Sequence, residues 1–282
     1  MKTSLILISL FFLLILISTC GHMTADAPDS VIYPMNIGQQ WHYIGIIDRS
    51  EDYPEPIGGE YGIEDTFYVI SEVVGNVLLR DSIETIAMGA SGAEEPDDLS
   101  YIHYYQTTDK GLYIIAYENA GGHIIHPKNS KPALISFKSY RFANIFELSE
   151  FMEQALPLNK SLADTVIYED PPVLTLKYPL TIGSQWTYRY DYHPWRIDKR
   201  IIGREDIHLD IGTFNCYHIQ WLYDFDHDGH WDEDIWIDDF LSDKGIIKRR
   251  FSFIGVNYSD EQGNVLGSFD MTQEYTLTAL NF

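Results

Sequence analysis

An eleven-residue element occurs twice in this chain, and its recurrence narrows the possible folds more than any other property. Residues 33–43 read YPMNIGQQWHY, residues 178–188 read YPLTIGSQWTY, and seven of the eleven positions are identical. A second echo follows each copy: Asp109-Lys110-Gly111-Leu112 after the first and Asp243-Lys244-Gly245-Ile246 after the second, each leading into an apolar run. A return to the same element and the same turn predicts two related units, roughly residues 33–118 and 178–254. In each element Pro and Gly shape a turn and Trp opens an alternating stretch, the period of a β-strand.

The rest of the pattern is also largely β. Residues 66–74, 101–106, 112–117, 217–223 and 246–253 are rich in β-branched and aromatic side chains and are bounded by Gly, Asn and Asp. One segment breaks the period: across 139–156, Phe142, Ile145, Phe146, Met152 and Leu156 fall on a helical face, and Pro157 ends the run. Residues 89–99 read as an acidic loop, and residues 164–174, with Pro171-Pro172, as an extended connector. The expected fold is mainly β (α+β): two related antiparallel units forming curved or packed sheets, with one amphipathic helix between them. The expected organisation is 1–19 signal peptide, 20–32 linker, 33–138 first β unit, 139–156 helix, and 157–282 second β unit.

The start of the chain indicates where it resides. Lys2 precedes residues 5–17, in which Ser9 is the only residue that is not apolar. A helix rising ~1.5 Å per residue needs about 20 apolar residues to cross ~30 Å of hydrocarbon, so this stretch reads as the core of a signal peptide. The segment Ile17-Ser18-Thr19-Cys20 resembles the lipobox of bacterial lipoprotein precursors, with Thr19 where that family usually has Gly, Ala or Ser. The resemblance implies that Cys20 is lipidated and tethers the mature chain to a membrane. Gly21 in place of Asp is similar to lipoproteins passed on to the outer membrane. The paired Pro-Leu-x-x-Gly-x-x-Trp-x-Tyr elements, with Lys244-Gly245-Ile246-Ile247-Lys248, resemble a broad group of uncharacterised bacterial lipoproteins, which implies a cell-envelope location and β architecture but no reaction.

Charge limits the partners. Loss of Lys2 with the signal peptide takes the formal charge from −23 to −24, which disfavours nucleic acids and anionic lipid head groups and favours cations. Cys216 is the one cysteine besides Cys20; set in a strand-like run, it reads as a small buried hydrophobe.

One stretch carries recognisable chemistry. Residues 224–234 read DFDHDGHWDED, with carboxylates at loop positions 1, 3, 5 and 9 and Gly229 at position 6. Calcium takes about six to eight hard oxygens, and this spacing can wrap them around one ion. The expected ligands are the side chains of Asp224, Asp226, Asp228 and Asp232 and the carbonyl of His230. Position 12 is Ile235, and the flanks are strand-like, so an EF-hand is not expected. The loop resembles the Asp-x-Asp-x-Asp-Gly calcium loops at hairpin tips of extracellular proteins, in which Glu233 or Asp234 would complete the shell. The competing reading is a solvated hairpin tip, but four crowded carboxylates repel one another without a cation.

Other signals are weaker. His123 and His126 lack the remainder of a zinc motif, residues 89–93 lack the setting of a nucleophile elbow, and Glu94, Glu95, Asp97 and Asp98 form a charge run on a loop. Tyr188, Tyr190, Tyr192 and Trp195 form a stripe that is either core or a ligand-facing surface. With no catalytic constellation in view, the expected function is a non-enzymatic binding or structural module with a protein, glycan or lipid partner. The alternatives are a carrier of hydrophobic ligands, with the helix as lid, and a hydrolase whose residues converge only in three dimensions.

Overall fold

Period-two alternation gives each strand one buried face. In β1 (Gln40–Arg49), Trp41, Tyr43 and Ile47 are buried while Ile46 and Asp48 are exposed. The structure, a computed structural model, describes residues 31–49, 66–92, 99, 101–119, 134–142, 145–154, 166–190, 195–260, 262 and 264–281. After β1 come β2 (Thr66–Leu79), β3 (Ile83–Ser91), β4 (Tyr101–Thr108) and β5 (Gly111–Asn119). A short hairpin, β6 (Leu134–Phe137) and β7 (Tyr140–Phe142), precedes helix α1 (Ile145–Gln154) and strand β8 (Ile167–Lys177). The second half holds β9 (Gln185–Arg189), β10 (Arg196–Leu209), β11 (Gly212–Asp224), β12 (Ile235–Ser242), β13 (Gly245–Ser259) and β14 (Val265–Asn281).

The two eleven-residue elements adopt the same local geometry. The N–H of Gly38 donates to Val73 at 2.8 Å and that of Gln39 to Asn36 at 3.1 Å; the N–H of Gly183 donates to Ile201 at 2.8 Å and that of Ser184 to Thr181 at 2.9 Å. Both turns need a left-handed residue, supplied by Gly38 (φ +86°) and Gly183 (φ +85°). Each element leads into a five-stranded antiparallel meander, β1 to β5 and β9 to β13, and each meander gains a sixth strand beside its fifth, β8 on β5 and β14 on β13.

The meanders are not separate sheets. Strand β14 pairs with β13 on one side and β1 on the other, giving one continuous antiparallel sheet in the order β8-β5-β4-β3-β2-β1-β14-β13-β12-β11-β10-β9, with β6 on β13. It curls into a nearly closed barrel whose terminal strands, β8 and β9, are joined by side chains instead of a ladder. Trp186 Nε1 on β9 donates to the carbonyl of Leu174 on β8 at 3.2 Å, Lys199 Nζ on β10 donates to that of Thr175 at 3.2 Å, and Arg189 Nη1 bonds Glu169 at 2.5 Å.

Three segments differ from the sequence reading. Of the stretch read as an acidic loop, 89–99, Gly89, Ala90 and Ser91 complete β3. The stretch read as a connector, 164–174, supplies most of β8; Pro171 and Pro172 fit because β8 is an edge strand and its pairing with β5 skips residues 169–172. Within 139–156 the described helix is Ile145–Gln154, and Tyr140–Phe142 is a strand. The helix is buried over most of its circumference: Ile145, Phe146, Leu148, Phe151 and Met152 are buried, but so are Glu147 and Ser149. Tyr223 donates to the carbonyl of Met152 at 3.0 Å, and Phe146 meets Phe67 edge-on, so α1 packs into the barrel rather than lying over one sheet face.

Candidate functional site

The barrel is not filled throughout. A cavity of about 220 Å³ lies inside it, far above the ~10–15 Å³ that admits a single water. Its walls mix Leu112, Ile114, Ile219 and Leu241 with the rings of Tyr33, Tyr43, Tyr101, Tyr105, Tyr188, Trp221 and Tyr275, and with His103, Glu153, Arg189, Lys199, Asp239 and Arg249.

Strand parity places the charges inside. Lys199 lies two residues from Ile197 and Ile201, Asp239 two from Ile237 and Leu241, and Arg249 two from Ile247 and Phe251; all six apolar neighbours are buried. Each charged side chain therefore points the way its apolar neighbours do.

Most of these charges are internally paired. Arg249 grips Asp239 with two nitrogens, Nε to Oδ1 at 2.5 Å and Nη2 to Oδ2 at 3.1 Å, and its third nitrogen meets Glu153 of α1. Asp239 Oδ2 also accepts Trp221 Nε1 at 2.8 Å. Burial works to lower the Arg249 pKa, but Asp239 and Glu153 outweigh it and hold the group well above its ordinary value. Arg189 pairs with Glu169.

Lys199 is different. It is 2% exposed, its ammonium lies 3.7 Å from the ring centre of Trp221 and 4.0 Å from that of Tyr188, and its hydrogen-bond acceptors are the carbonyl and, at 3.4 Å, the hydroxyl of Thr175. Burial lowers its pKa to about 7, against a partial restoring pull from Asp239. His103 is lowered to about 3 by burial and by Arg189 and Arg249, so it is a neutral ring in contact with the Tyr101 hydroxyl at 3.0 Å. The tyrosines are held protonated: burial raises Tyr33, Tyr43, Tyr101, Tyr105, Tyr188 and Tyr275. The lining is thus rich in O–H and N–H donors.

The aspartate-rich loop lies between β11 and β12. Asp224 is buried and caps the turn, Oδ1 accepting the N–H of Asp228 and Oδ2 that of Gly229, both at 3.1 Å. Asp224, Asp226 and Asp228 each bring a carboxylate oxygen within 4.8 Å of the others. Asp232 is engaged elsewhere: Oδ2 accepts the N–H of Phe225 at 2.9 Å, and Oδ1 meets Lys138 Nζ at 2.6 Å. Lys138, in the β6–β7 turn, also pairs with Asp234 at 2.6 Å. Three of the expected carboxylates therefore gather, while a lysine 94 residues away in sequence from Asp232 supplies part of the cationic charge that the crowding calls for. The N–H of His230 donates to Asp228 at 2.8 Å.

The aromatic stripe divides. Strand β9 ends at Arg189, and the alternation ends with it: Tyr188 lines the cavity, Tyr190 is 52% exposed, and Trp195 is buried among Tyr140, Phe151 and Phe225. Tyr192 lies outside the described residues, as do Cys20, His123, His126, Glu94, Glu95, Asp97 and Asp98. Cys216 is buried, and burial pushes its thiol up to about 12, as suits an inert packing group. Of the cavity residues, Tyr188 alone was expected from sequence to face a ligand.

No protein-family model and no curated protein matches the chain. Two solved structures are similar in overall course. One is a protein with a YmcC-like fold from Bacteroides fragilis, provisionally named as exported: TM-score 0.38, 9% identity, covering 90% of this chain and 100% of that one. The other is the hypothetical lipoprotein YmcC from Escherichia coli: TM-score 0.28, 8% identity, covering 91% and 93%. At these values the likeness assigns neither a site nor an activity.

Proposed function

We propose that this chain is a lipid-tethered cell-envelope protein that binds a small molecule inside its barrel. The observation that carries the reading is the cavity of about 220 Å³, walled by aromatic rings and fixed polar groups. Binding sites typically combine a mostly apolar concavity with a few placed polar groups that fix orientation. The tether rests on the signal-peptide core at residues 5–17 and on Cys20, and the outer membrane is its expected destination.

The lining weighs against the two rival functions. A long acyl chain gains nothing from ammonium, guanidinium and carboxylate groups that it cannot pair, so a carrier of purely hydrophobic ligands fits poorly. A hydrolase that moves protons with a carboxylate or a histidine also fits poorly. Here Asp239 and Glu153 both bond Arg249, and burial with Arg189 and Arg249 lowers His103 to about 3, which makes it a weak base.

Calcium at the β11–β12 loop is the second part of the proposal, with Asp224, Asp226 and Asp228 as side-chain ligands. Water and backbone carbonyls, His230 among them, would complete the shell, and Asp232 would join only by leaving Lys138. The ion would clamp the loop. For the barrel, the test is a thermal-shift screen of the mature chain with small carboxylates, amines, sugars and fatty acids. One class of small polar molecule should raise Tm, because a ligand bound only to the folded state stabilises it. A shift with long-chain fatty acids alone would favour the carrier instead.

A further inference from the structure

One interior cation makes no direct ion pair. Arg249 lies between Asp239 and Glu153, and Arg189 has Glu169. Among the described residues no carboxylate comes within ion-pairing distance of Lys199. Burying a charge is costly unless it is paired, and an ammonium has three donors, of which Thr175 receives at most two. The faces of Trp221 and Tyr188 help to hold the cation and leave its remaining side toward the cavity.

A second polar group has the same sense. Gln273 donates to the Tyr275 hydroxyl at 2.6 Å, so the Tyr275 proton is left to be donated. Tyr275 borders the cavity together with Lys199. An occupant therefore meets donors at its polar end and rings and aliphatic side chains around its body.

We propose that the cavity binds a small organic carboxylate with an apolar body, and that Lys199 is the ion-pair partner of its carboxylate. This rests on the barrel being a binding site and specifies what it binds. The structural alternative is that Lys199 serves only to fasten β10 to the Thr175 carbonyl across the β8–β9 seam, which predicts no affinity for any anion.

The test is calorimetry on the mature chain with benzoate, the uncharged benzamide and the cationic benzylamine. Benzoate should bind at least tenfold more tightly than benzamide at pH 6.5, and Lys199→Met should abolish the difference. Because Lys199→Met could perturb folding, a second measurement uses the wild type alone. Benzoate binding at pH 8 should take up close to one proton per site, read from titrations in buffers of different ionisation enthalpy. The charged and titratable groups around Lys199 are Asp239 on β12, Arg249 on β13, Glu153 on α1, and Arg189 and Tyr188 on β9; burial lowers Lys199 itself to about 7, so an anion that restores its charge draws a proton from solution at pH 8. Benzamide or benzylamine binding as tightly as benzoate, or benzoate binding without proton uptake, would overturn the carboxylate assignment and leave a binding barrel in place. Failure of all three probes at millimolar concentration overturns the assignment too, and the wider reading then rests on the thermal-shift screen.

Discussion

Lys199 and Lys138 are both lysines held by contacts across the fold, and each makes a distinct prediction. The Lys199 pKa falls from its ordinary value near 10.5 to about 7 in the folded chain. Between those values the unfolded chain binds more protons than the folded one, so this group adds stability as pH rises from about 7. Wild type compared with Lys199→Met should therefore gain relative Tm between pH 7 and 9.5; a constant difference would mean that the lysine stays charged inside. Lys138 bonds Asp232 and Asp234, which together outweigh burial and raise its pKa. Lys138→Ala should cost roughly 1 kcal/mol in chelator, the scale of a part-exposed ion pair, and should enlarge the calcium-induced rise in Tm because Asp232 is released. An unchanged calcium response would separate Asp232 from the ion, and no response in either protein would remove calcium from the loop.

At the scale of elements, many strands were legible because burial on one face imposes period two, but β3, β10 and β14 were not singled out. The runs around residues 66–74, 101–106, 112–117, 217–223 and 246–253 all lie within strands. Three further things were not legible, for separate reasons. Strand β8 was hidden because Pro171-Pro172 removes two donors, which matters little where the ladder skips them. The tyrosine stripe was over-extended because Arg189 ends β9 in a buried pair with Glu169, a contact that local alternation cannot foresee. Lys138 reaches Asp232 only through tertiary folding. The inward charges, by contrast, had a readable signal in their phase with Ile197, Ile201, Ile237, Leu241, Ile247 and Phe251.

The two tryptophans of the recurring element carry an element-scale prediction. Trp41 is fully buried and donates to the Lys244 carbonyl at 2.6 Å, beside Gly245, where a Cβ would come within 2.8 Å of its Nε1. Trp186 is nearly as buried but bonds across the unladdered seam. Replacement of either by Ala should cost about 3–5 kcal/mol. Only Trp186→Ala should also speed amide exchange locally in β8 and β9, because no ladder holds those edges together. Equal local exchange in both variants would show that the seam behaves like the β1–β14 ladder.

For the whole molecule, two equivalent elements each start a meander, and the meanders combine into one barrel because β14 pairs with both β13 and β1. Closure is asymmetric: one junction is a ladder and the other a set of side-chain bonds, and Lys199 both belongs to the latter and borders the cavity. This arrangement was beyond reach from sequence, since strand runs do not reveal which edges meet. The most direct measurement is native mass spectrometry of the mature chain purified without denaturation from cell envelopes. A binding barrel predicts one additional small mass per chain that disappears on unfolding. An identical mass in both states, together with a flat thermal-shift screen, would contradict it.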